Sequence, residues 1–209
     1  MKRKQRKTPV VFLLVGVGIA LAAAFYLYRS TADYGFARTV SEAERQRRLE
    51  VVTAAENWLG TLEGFAGHEQ LVQIYNSHEP VAQGYELSTE DDWCAAFGSI
   101  IAIQTKNTDI IPTECSCERQ IGLWQELGCW VEDDGYTPLP GDYIYYAWDE
   151  GWSFGDCKGW ADHVGIVVGT AGPFLKVIEG NYHDQVGYRT ILINNYQIRG
   201  FGLPDYSAK

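Results

Sequence analysis

The sequence predicts an α+β domain in which helices pack on an antiparallel β-sheet, preceded by one N-terminal transmembrane helix. Residues 9–28 form an unbroken apolar run. Apolar residues then recur at helical spacing in the first part of the remaining chain. Beyond Pro138 the apolar segments become short, β-branched or aromatic, and are separated by Gly, Pro and Asn. Helices followed by strands are typical of the α+β class.

The N-terminal segment is predicted to be a membrane anchor. Five basic residues within 2–7 precede the apolar run, which is about as long as a helix needs to cross a bilayer. The alternative is a cleaved signal peptide, with Ala22–Ala24 as a cleavage site. In either case the basic end stays in the cytoplasm and the rest is exported, anchored to the cell membrane by a single pass or secreted after cleavage. The predicted organisation is a cytoplasmic tail at 1–8, an anchor at 9–28, a juxtamembrane linker at 29–44 and an extracytoplasmic domain at 45–206.

The charge is distributed unevenly. The whole chain has a net charge of −10, but residues 1–30 contain six basic residues and no acidic one. The other 11 basic residues face all 27 acidic residues, so residues 31–209 carry a net charge of −16. A body this acidic repels phosphate backbones, and nucleic acid is therefore not expected as a partner.

Four helices and four strands are predicted in the exported part. Ser41 and Glu44 form a capping box for the first helix, whose apolar pattern runs from Leu49 to Leu62. Gly128 is expected to end the fourth helix. The other predicted helices are Glu69–Ser77, Asp92–Ile103 and Glu118–Leu127, and the predicted strands are Tyr143–Tyr146, Val164–Val168, Phe174–Ile178 and Tyr188–Ile193.

Cys94 is a candidate nucleophile because of its expected place in a helix. Asp92 is a good N-cap, which would put Cys94 in the first helical turn. Unpaired backbone N–H groups and the helix dipole stabilise a thiolate there. Asp91 and Asp92 oppose this weakly through like charge, so a basic partner is needed. Taken alone, a cysteine at the start of an apolar helix is more often a buried small hydrophobic residue.

His163 is the candidate base, and Glu179 is its candidate partner. Strands on either side of a tight loop at Gly169–Pro173 form a predicted hairpin centred on Ala171, in which His163 lies directly opposite Glu179. A carboxylate beside an imidazole orients the ring and stabilises its charged form, as in a nucleophilic triad. A one-residue slip would break this pairing, and the amide of Asn181 would then do the orienting.

Four sequence segments together resemble a CHAP domain, the cysteine, histidine-dependent amidohydrolase/peptidase family related to NlpC-type enzymes. They are DDWCAAF around Cys94, LPGDYIYY before the first strand, DHVGIV around His163, and IEGN at 178–181. The resemblance covers roughly residues 45–205. Each segment alone is weakly specific, whereas four in order at compatible spacing are strongly specific.

The resemblance implies a papain-like fold and a peptidoglycan substrate. The reaction it implies is cleavage of an amide bond, as an endopeptidase or an N-acetylmuramoyl-L-alanine amidase. It assigns Cys94 as nucleophile, His163 as base, Glu179 as orienting acid and Asn181 as a fourth member. Neither a cofactor nor a metal ion is required. The sequence departs from the family in its acidic flank before Cys94 and in a Trp- and Gly-rich insertion at 149–159, which bear on substrate preference.

Several other residues have structural alternatives. Asp142 in a Pro-Gly-Asp turn is expected to be structural. The aromatic residues Trp148, Trp152, Phe154 and Trp160 either wall a substrate groove or cover the sheet. Four cysteines remain: Cys115, Cys117, Cys129 and Cys157. Three alternatives are open for them, namely two disulfides, a zinc site, or free thiols.

Two other functions are compatible with the sequence. One is an anchored acyl-transferring cysteine enzyme, which would be distinguished by its products when an amine is added. The other is a non-catalytic cell-surface binding module, which an unreactive Cys94 would favour.

Overall fold

The computed structural model describes residues 8–133, 135–148 and 158–208, with side chains from residue 14 onward. The chain divides into two compact units, Met1–Asp33 and Tyr34–Lys209. Residues 34–44, predicted to be part of a linker, belong to the second unit. There Gly35 pairs with Thr170 in an isolated β-bridge.

The first unit contains a single described helix, α1 (Thr8–Thr31). Its 24 residues extend about 36 Å at the rise of an α-helix, enough to cross the hydrocarbon core of a bilayer. The segment Leu14–Thr31 has a mean hydropathy of 1.4 and is not buried. The helix is therefore long and apolar enough to be a membrane span or a signal sequence.

The helices of the second unit lie close to where the sequence predicts them. They are α2 (Glu42–Glu56), α3 (Ala66–Asn76), α4 (Cys94–Gln104) and α5 (Cys117–Glu126). Ser41 caps α2 as predicted, because its hydroxyl accepts a hydrogen bond of 3.1 Å from the Glu44 N–H. However, α2 ends before Leu59 and Leu62. The backbone of residues 60–63 instead pairs with residues 184–186, for example from the Gly60 N–H to the Val186 carbonyl at 2.9 Å.

Six strands form one antiparallel sheet in the order β1-β6-β2-β3-β4-β5. They are β1 (Trp130–Val131), β2 (Tyr143–Tyr146), β3 (His163–Ala171), β4 (Phe174–Glu179), β5 (Gly187–Leu192) and β6 (Ile198–Gly202). The sequence did not predict β1 and β6. Strand β6 contains Gly200 and Gly202, and Cβ atoms at these positions would overlap the rings of Trp130 and Trp124. Glycines are unusual inside strands, so the sequence pattern does not predict β6.

Helix α4 lies at the centre of the unit and packs on strand β3 and on helices α2, α3 and α5. Its residues 94–102 are all buried, which explains why it is apolar on every side. The sheet face towards α4 contributes Tyr143, Tyr145 and Ile178 to the main core. The opposite face carries a second apolar cluster that includes Tyr146, Val167 and Val177.

The predicted register of the β3–β4 hairpin is wrong. The turn is at Gly172 and Pro173, with Ala171 paired to Phe174, which shifts the pairing by three residues from the predicted register. A bulge between Val167 and Gly169 then moves it back by one. Continuing the observed pairs Val167–Val177 and Ile166–Ile178 places Glu179 opposite Gly165 and not opposite His163. The total shift is two residues, so Glu179 remains on the same face as His163.

We expect Gly165→Ala to destabilise the second unit by about 1–3 kcal/mol through overpacking. A Cβ at this position would lie 2.4 Å from Val177 Cγ1 and 2.7 Å from Glu179 Cγ. Chemical unfolding of the full-length chain in detergent measures the change. Gly122→Ala is the matched control, because nothing lies within 4 Å of its Cβ position in α5. That change should stabilise the helix by about 0.5–1 kcal/mol, and equal stability of the two variants would contradict the expected clash.

Candidate functional site

Cys94 is the first residue of α4, and its thiol is almost completely buried, with 7% of the residue exposed. The position in the first turn agrees with the prediction, but the N-cap residue is Trp93 and not Asp92. Asp92 instead accepts a hydrogen bond of 3.1 Å from the side-chain amide of Asn181. This bond ties the end of β4 to the start of α4.

His163 is the first residue of β3 and pairs with Tyr146 of β2. Its ring stacks on that tyrosine at a centroid distance of 6.0 Å and lies 5.9 Å from the ring of Trp148. The chain just before it is anchored by a 2.7 Å hydrogen bond from the Trp148 N–H to the Asp162 carboxylate. These contacts fix the imidazole at the end of the sheet.

Glu179 meets His163 diagonally across the sheet. Its Oε2 lies 3.1 Å from His163 Nε2, and the residue is completely buried. To reach His163, the Glu179 side chain passes over Gly165, where any side chain would overlap the Glu179 Cγ. The predicted contact is therefore present, although the predicted pairing is not. With Nε2 bound to the carboxylate, Nδ1 is the ring nitrogen left for Cys94.

The pKa shifts of Cys94 and His163 favour the charged forms of both groups, that is, an ion pair. The pKa of Cys94 falls to about 5, chiefly through a hydrogen bond from Cys117, with burial opposing the change and a hydrogen bond to His163 adding to it. Burial alone would lower the pKa of His163, but its hydrogen bonds to Cys94 and Glu179 outweigh burial and raise it to about 9. Between these values the pair is thiolate and imidazolium.

Cys117, which the sequence analysis names only among the remaining cysteines, lies beside Cys94. It is the first residue of α5, and its Sγ lies 3.6 Å from Cys94 Sγ. Burial and the adjacent Cys94 raise the pKa of Cys117, with its hydrogen bond to Cys94 as the largest cause. It therefore acts as the thiol donor to a Cys94 thiolate. The sequence offers no signal for this contact, because 22 residues separate the two cysteines and local patterns do not show how two helices pack.

Arg189 on β5 is the second residue that sequence reasoning missed. Its Nε donates to both oxygens of Glu179, at 2.7 and 3.0 Å. The guanidinium carbon lies over three aromatic rings, 4.5 Å from Tyr182, 4.7 Å from Trp148 and 5.4 Å from Tyr146. The buried Glu179 carboxylate is thus held between a guanidinium and an imidazole, which satisfies its charge.

We expect Arg189→Gln to lower the free energy of unfolding by about 2–4 kcal/mol, because it removes one of the two cations that pair with a buried carboxylate. Chemical unfolding of the full-length chain in detergent measures the loss. Arg45→Gln is the matched control, since this exposed guanidinium lies 4.9 Å above the Phe36 ring at the surface. The control should change stability by less than about 0.5 kcal/mol. Equal effects of the two changes would contradict a structural role for the Arg189–Glu179 pair.

The sequence also singles out Asp142, Trp160 and three residues within 149–159. Asp142 is structural, as expected: its buried carboxylate accepts from the Leu139 N–H at 2.8 Å and pairs with Arg48 at 2.7 Å. Trp160 is 71% exposed. Trp152, Phe154 and Cys157 lie outside the described residues.

The described cysteines all carry free thiols. Cys115 Sγ lies 3.6 Å from a carboxylate oxygen of Glu114, and Cys129 Sγ lies 3.5 Å from the Leu127 carbonyl oxygen. Within the described part of the chain, no group of three or more His, Cys, Asp or Glu residues is arranged to hold a metal ion.

A cavity of about 780 Å³ lies elsewhere on the second unit, between the short 3₁₀-helix Ala82–Gly84 and α5. Its lining includes Pro80, Asp109 and Glu126 but none of Cys94, His163 and Glu179. Cavity size therefore does not indicate the functional site, whereas the chemistry of the buried groups does.

Comparisons with known proteins give two distant likenesses. No protein-family model matches the chain, and no curated protein matches it. Among solved structures, Ly7917 is similar at 18% identity over 53% of each chain, with a TM-score of 0.36. PlyC is similar at 14% identity over 82% of this chain and 52% of that chain, with a TM-score of 0.25. The chain thus spans about half the length of each, and at these scores neither likeness establishes a shared fold.

Proposed function

We propose that this chain is a cysteine-dependent amidohydrolase of the CHAP type, papain-like in fold, that cleaves an amide bond of peptidoglycan. The observation that carries the proposal is the contact series from the Cys94 thiol through His163 to the Glu179 carboxylate. A nucleophile, a base and a group that orients the base are the three parts that covalent catalysis of this kind requires.

The first chemical step uses the ion pair. The Cys94 thiolate attacks the amide carbonyl, and the carbonyl oxygen takes up the negative charge of the tetrahedral intermediate. The first N–H groups of a helix have no carbonyl partner within it, so we assign donation to that oxygen to the first turn of α4, where the Ala95 N–H already hydrogen-bonds the Cys94 sulfur. The His163 imidazolium then gives its proton to the leaving amine, which leaves a thioester on Cys94.

The second step releases the acyl group. His163, now neutral, accepts a proton from water, and the resulting hydroxide attacks the thioester. The Cys94 thiolate leaves and the imidazolium is restored. In both steps Glu179, placed between His163 and Arg189, orients the ring and stabilises its charge.

Asn181 has a different role from the one that the family resemblance assigns to it. Its amide donates to Asp92, while Glu179 supplies the hydrogen bond to His163. By linking the end of β4 to the residues before Cys94, Asn181 positions the helix start relative to the base. It is a positioning residue in this proposal.

Peptidoglycan is supported as the substrate by the sequence resemblance and by the predicted export. The four CHAP-like segments supply three of the contacting groups, Cys94, His163 and Glu179. The basic residues before α1 favour a cytoplasmic N-terminus, so an uncleaved α1 would hold the acidic body at the outer surface of the cell membrane.

We expect Cys94→Ala to abolish release of new amine and carboxyl termini from purified peptidoglycan, because the raised pKa of the neighbouring Cys117 thiol makes it a poor replacement for the nucleophile. Mass spectrometry of muropeptides after incubation with the full-length chain in detergent measures hydrolysis and identifies the bond. Cys115→Ser is the control, since this half-buried thiol lies beside Glu114, and its activity should be unchanged. Cys94→Ala retaining activity within tenfold of wild type would exclude the nucleophile assignment. Products joined to an added amine would instead identify an acyl transferase.

We expect a bell-shaped pH–rate profile, and a change of its alkaline limb in Glu179→Gln. Below pH about 5 the Cys94 thiolate is protonated, and above pH about 9 His163 loses the proton that it must donate. The carboxylate raises the pKa of His163, so Glu179→Gln should move the alkaline limb to lower pH and reduce the rate by about one to three orders of magnitude. The rate measured from pH 4 to 10 tests both effects. A silent Glu179→Gln beside a strongly impaired Asn181→Ala would show that Asn181 is the orienting residue.

A further inference from the structure

Cys117 is a buried nucleophilic group that the proposed hydrolysis does not consume. Hydrolysis by the proposed route needs one thiol, yet two lie together with 3.6 Å between their sulfur atoms. Cys94 is 7% exposed and Cys117 is 6% exposed. Each is the first residue of its helix, so the N-termini of α4 and α5 converge on the same point.

Hydrogen bonds hold the segment that carries Cys117 against helix α4, which carries Cys94. Ser99, in the second turn of α4, donates to the Glu114 carbonyl at 2.7 Å and accepts from the Glu114 N–H at 2.8 Å. Gln120 in α5 donates to the Pro112 carbonyl at 3.1 Å. The side chains of Ser99 and Gln120 are both completely buried, so the segment carrying Cys117 is fixed against α4.

The two cysteines differ in protonation, and this difference assigns each sulfur a separate role in an oxidation reaction. The pKa of Cys94 falls to about 5 and that of Cys117 rises. At neutral pH one sulfur is therefore the reactive thiolate and the other a thiol that can resolve an oxidised partner. The geometry already places the second sulfur within about 1.5 Å of disulfide bonding distance.

We propose that Cys94 and Cys117 form a redox-active dithiol that closes reversibly to an intramolecular disulfide when a peroxide oxidises Cys94. This is a modification site distinct from the hydrolytic chemistry, although it uses the same nucleophile. The disulfide blocks the Cys94 sulfur, and it also protects that sulfur from irreversible oxidation to the sulfinic or sulfonic acid.

The two steps balance with hydrogen peroxide as the oxidant. The Cys94 thiolate attacks one oxygen of the peroxide, the O–O bond breaks, and hydroxide leaves as the sulfenic acid of Cys94 forms. The Cys117 sulfur then attacks the Cys94 sulfur, its proton joins the departing hydroxyl group, and water leaves as the S–S bond forms. Each sulfur loses one electron and the peroxide gains two. A dithiol reductant reverses the reaction by thiol–disulfide exchange.

Cys115 is the internal comparison for this reaction. It lies two residues from Cys117, but its Sγ faces the Glu114 carboxylate at 3.6 Å, and burial raises the pKa of its thiol. The Cys117 Sγ, in contrast, already lies 3.6 Å from the Cys94 Sγ. This proximity should make oxidation select Cys117 over Cys115 as the partner of Cys94.

The test is peptide mass spectrometry of the full-length chain in detergent. The reduced chain is treated with a small excess of hydrogen peroxide, its remaining thiols are alkylated, and it is digested with trypsin. Lys106 separates the two cysteines into different tryptic peptides, and Cys115→Ser leaves Cys117 as the only thiol in the second peptide. We expect one cross-linked pair lacking two hydrogens, in wild type and in Cys115→Ser alike, that disappears after reduction.

Cys117→Ser is the matched variant. Its Cys94 should progress to sulfinic acid, so that a reductant no longer restores iodoacetamide labelling of Cys94, whereas wild type recovers it. No cross-link in Cys115→Ser, or sulfinic acid forming equally fast in wild type and Cys117→Ser, would overturn the proposal. A disulfide between two copies of Cys94 would also overturn it. Since the readout is peptide mass, failure here is distinguishable from failure of the proposed hydrolysis.

Discussion

The buried carboxylate of Glu179 is the charge on which the arrangement of the site depends. With none of its surface exposed, it requires compensation from groups of the protein, and His163 and Arg189 supply it. That requirement determines the residues around it. Gly165 leaves room for the carboxylate to reach the imidazole, and the rings of Trp148 and Tyr182 flank the guanidinium. Strands β3, β4 and β5 therefore each contribute one member of a charged network that ends at Cys94.

The helical layer supplies the other half of the chemistry. Helix α4 is buried along most of its length, so its position against β3 is fixed, and the cysteine at its start is fixed with it. Helix α5 brings a second thiol to the same point. The Cys117 thiol and His163 both stabilise the Cys94 thiolate, from different directions. The proposed hydrolysis and the proposed disulfide thus use the same activated sulfur.

The turn between β4 and β5 connects these two halves. Asn181, His183 and Asp184 all have left-handed backbone conformations, with φ of 54°, 53° and 59°. Such conformations are uncommon outside glycine, and they occur where surrounding contacts hold the chain. Here the Asp184 carbonyl accepts from the Glu63 N–H at 2.8 Å, and the Asn181 amide binds Asp92. The turn therefore places Arg189 beside Glu179 while it ties the strand ends to the helical layer.

The sequence by itself determined the α+β class, the apolar N-terminal helix, the cap at Ser41 and the place of Cys94 at a helix start. These follow from local periodicity and from capping chemistry. Only the tertiary structure decided the register of the hairpin, and with it the face that His163 and Glu179 share, because neither the position of the turn nor the bulge after Val167 has a sequence signature. It also decided that Cys117 and Arg189 belong to the site. Contacts between residues distant in sequence depend on how helices and strands pack, and no local pattern encodes them.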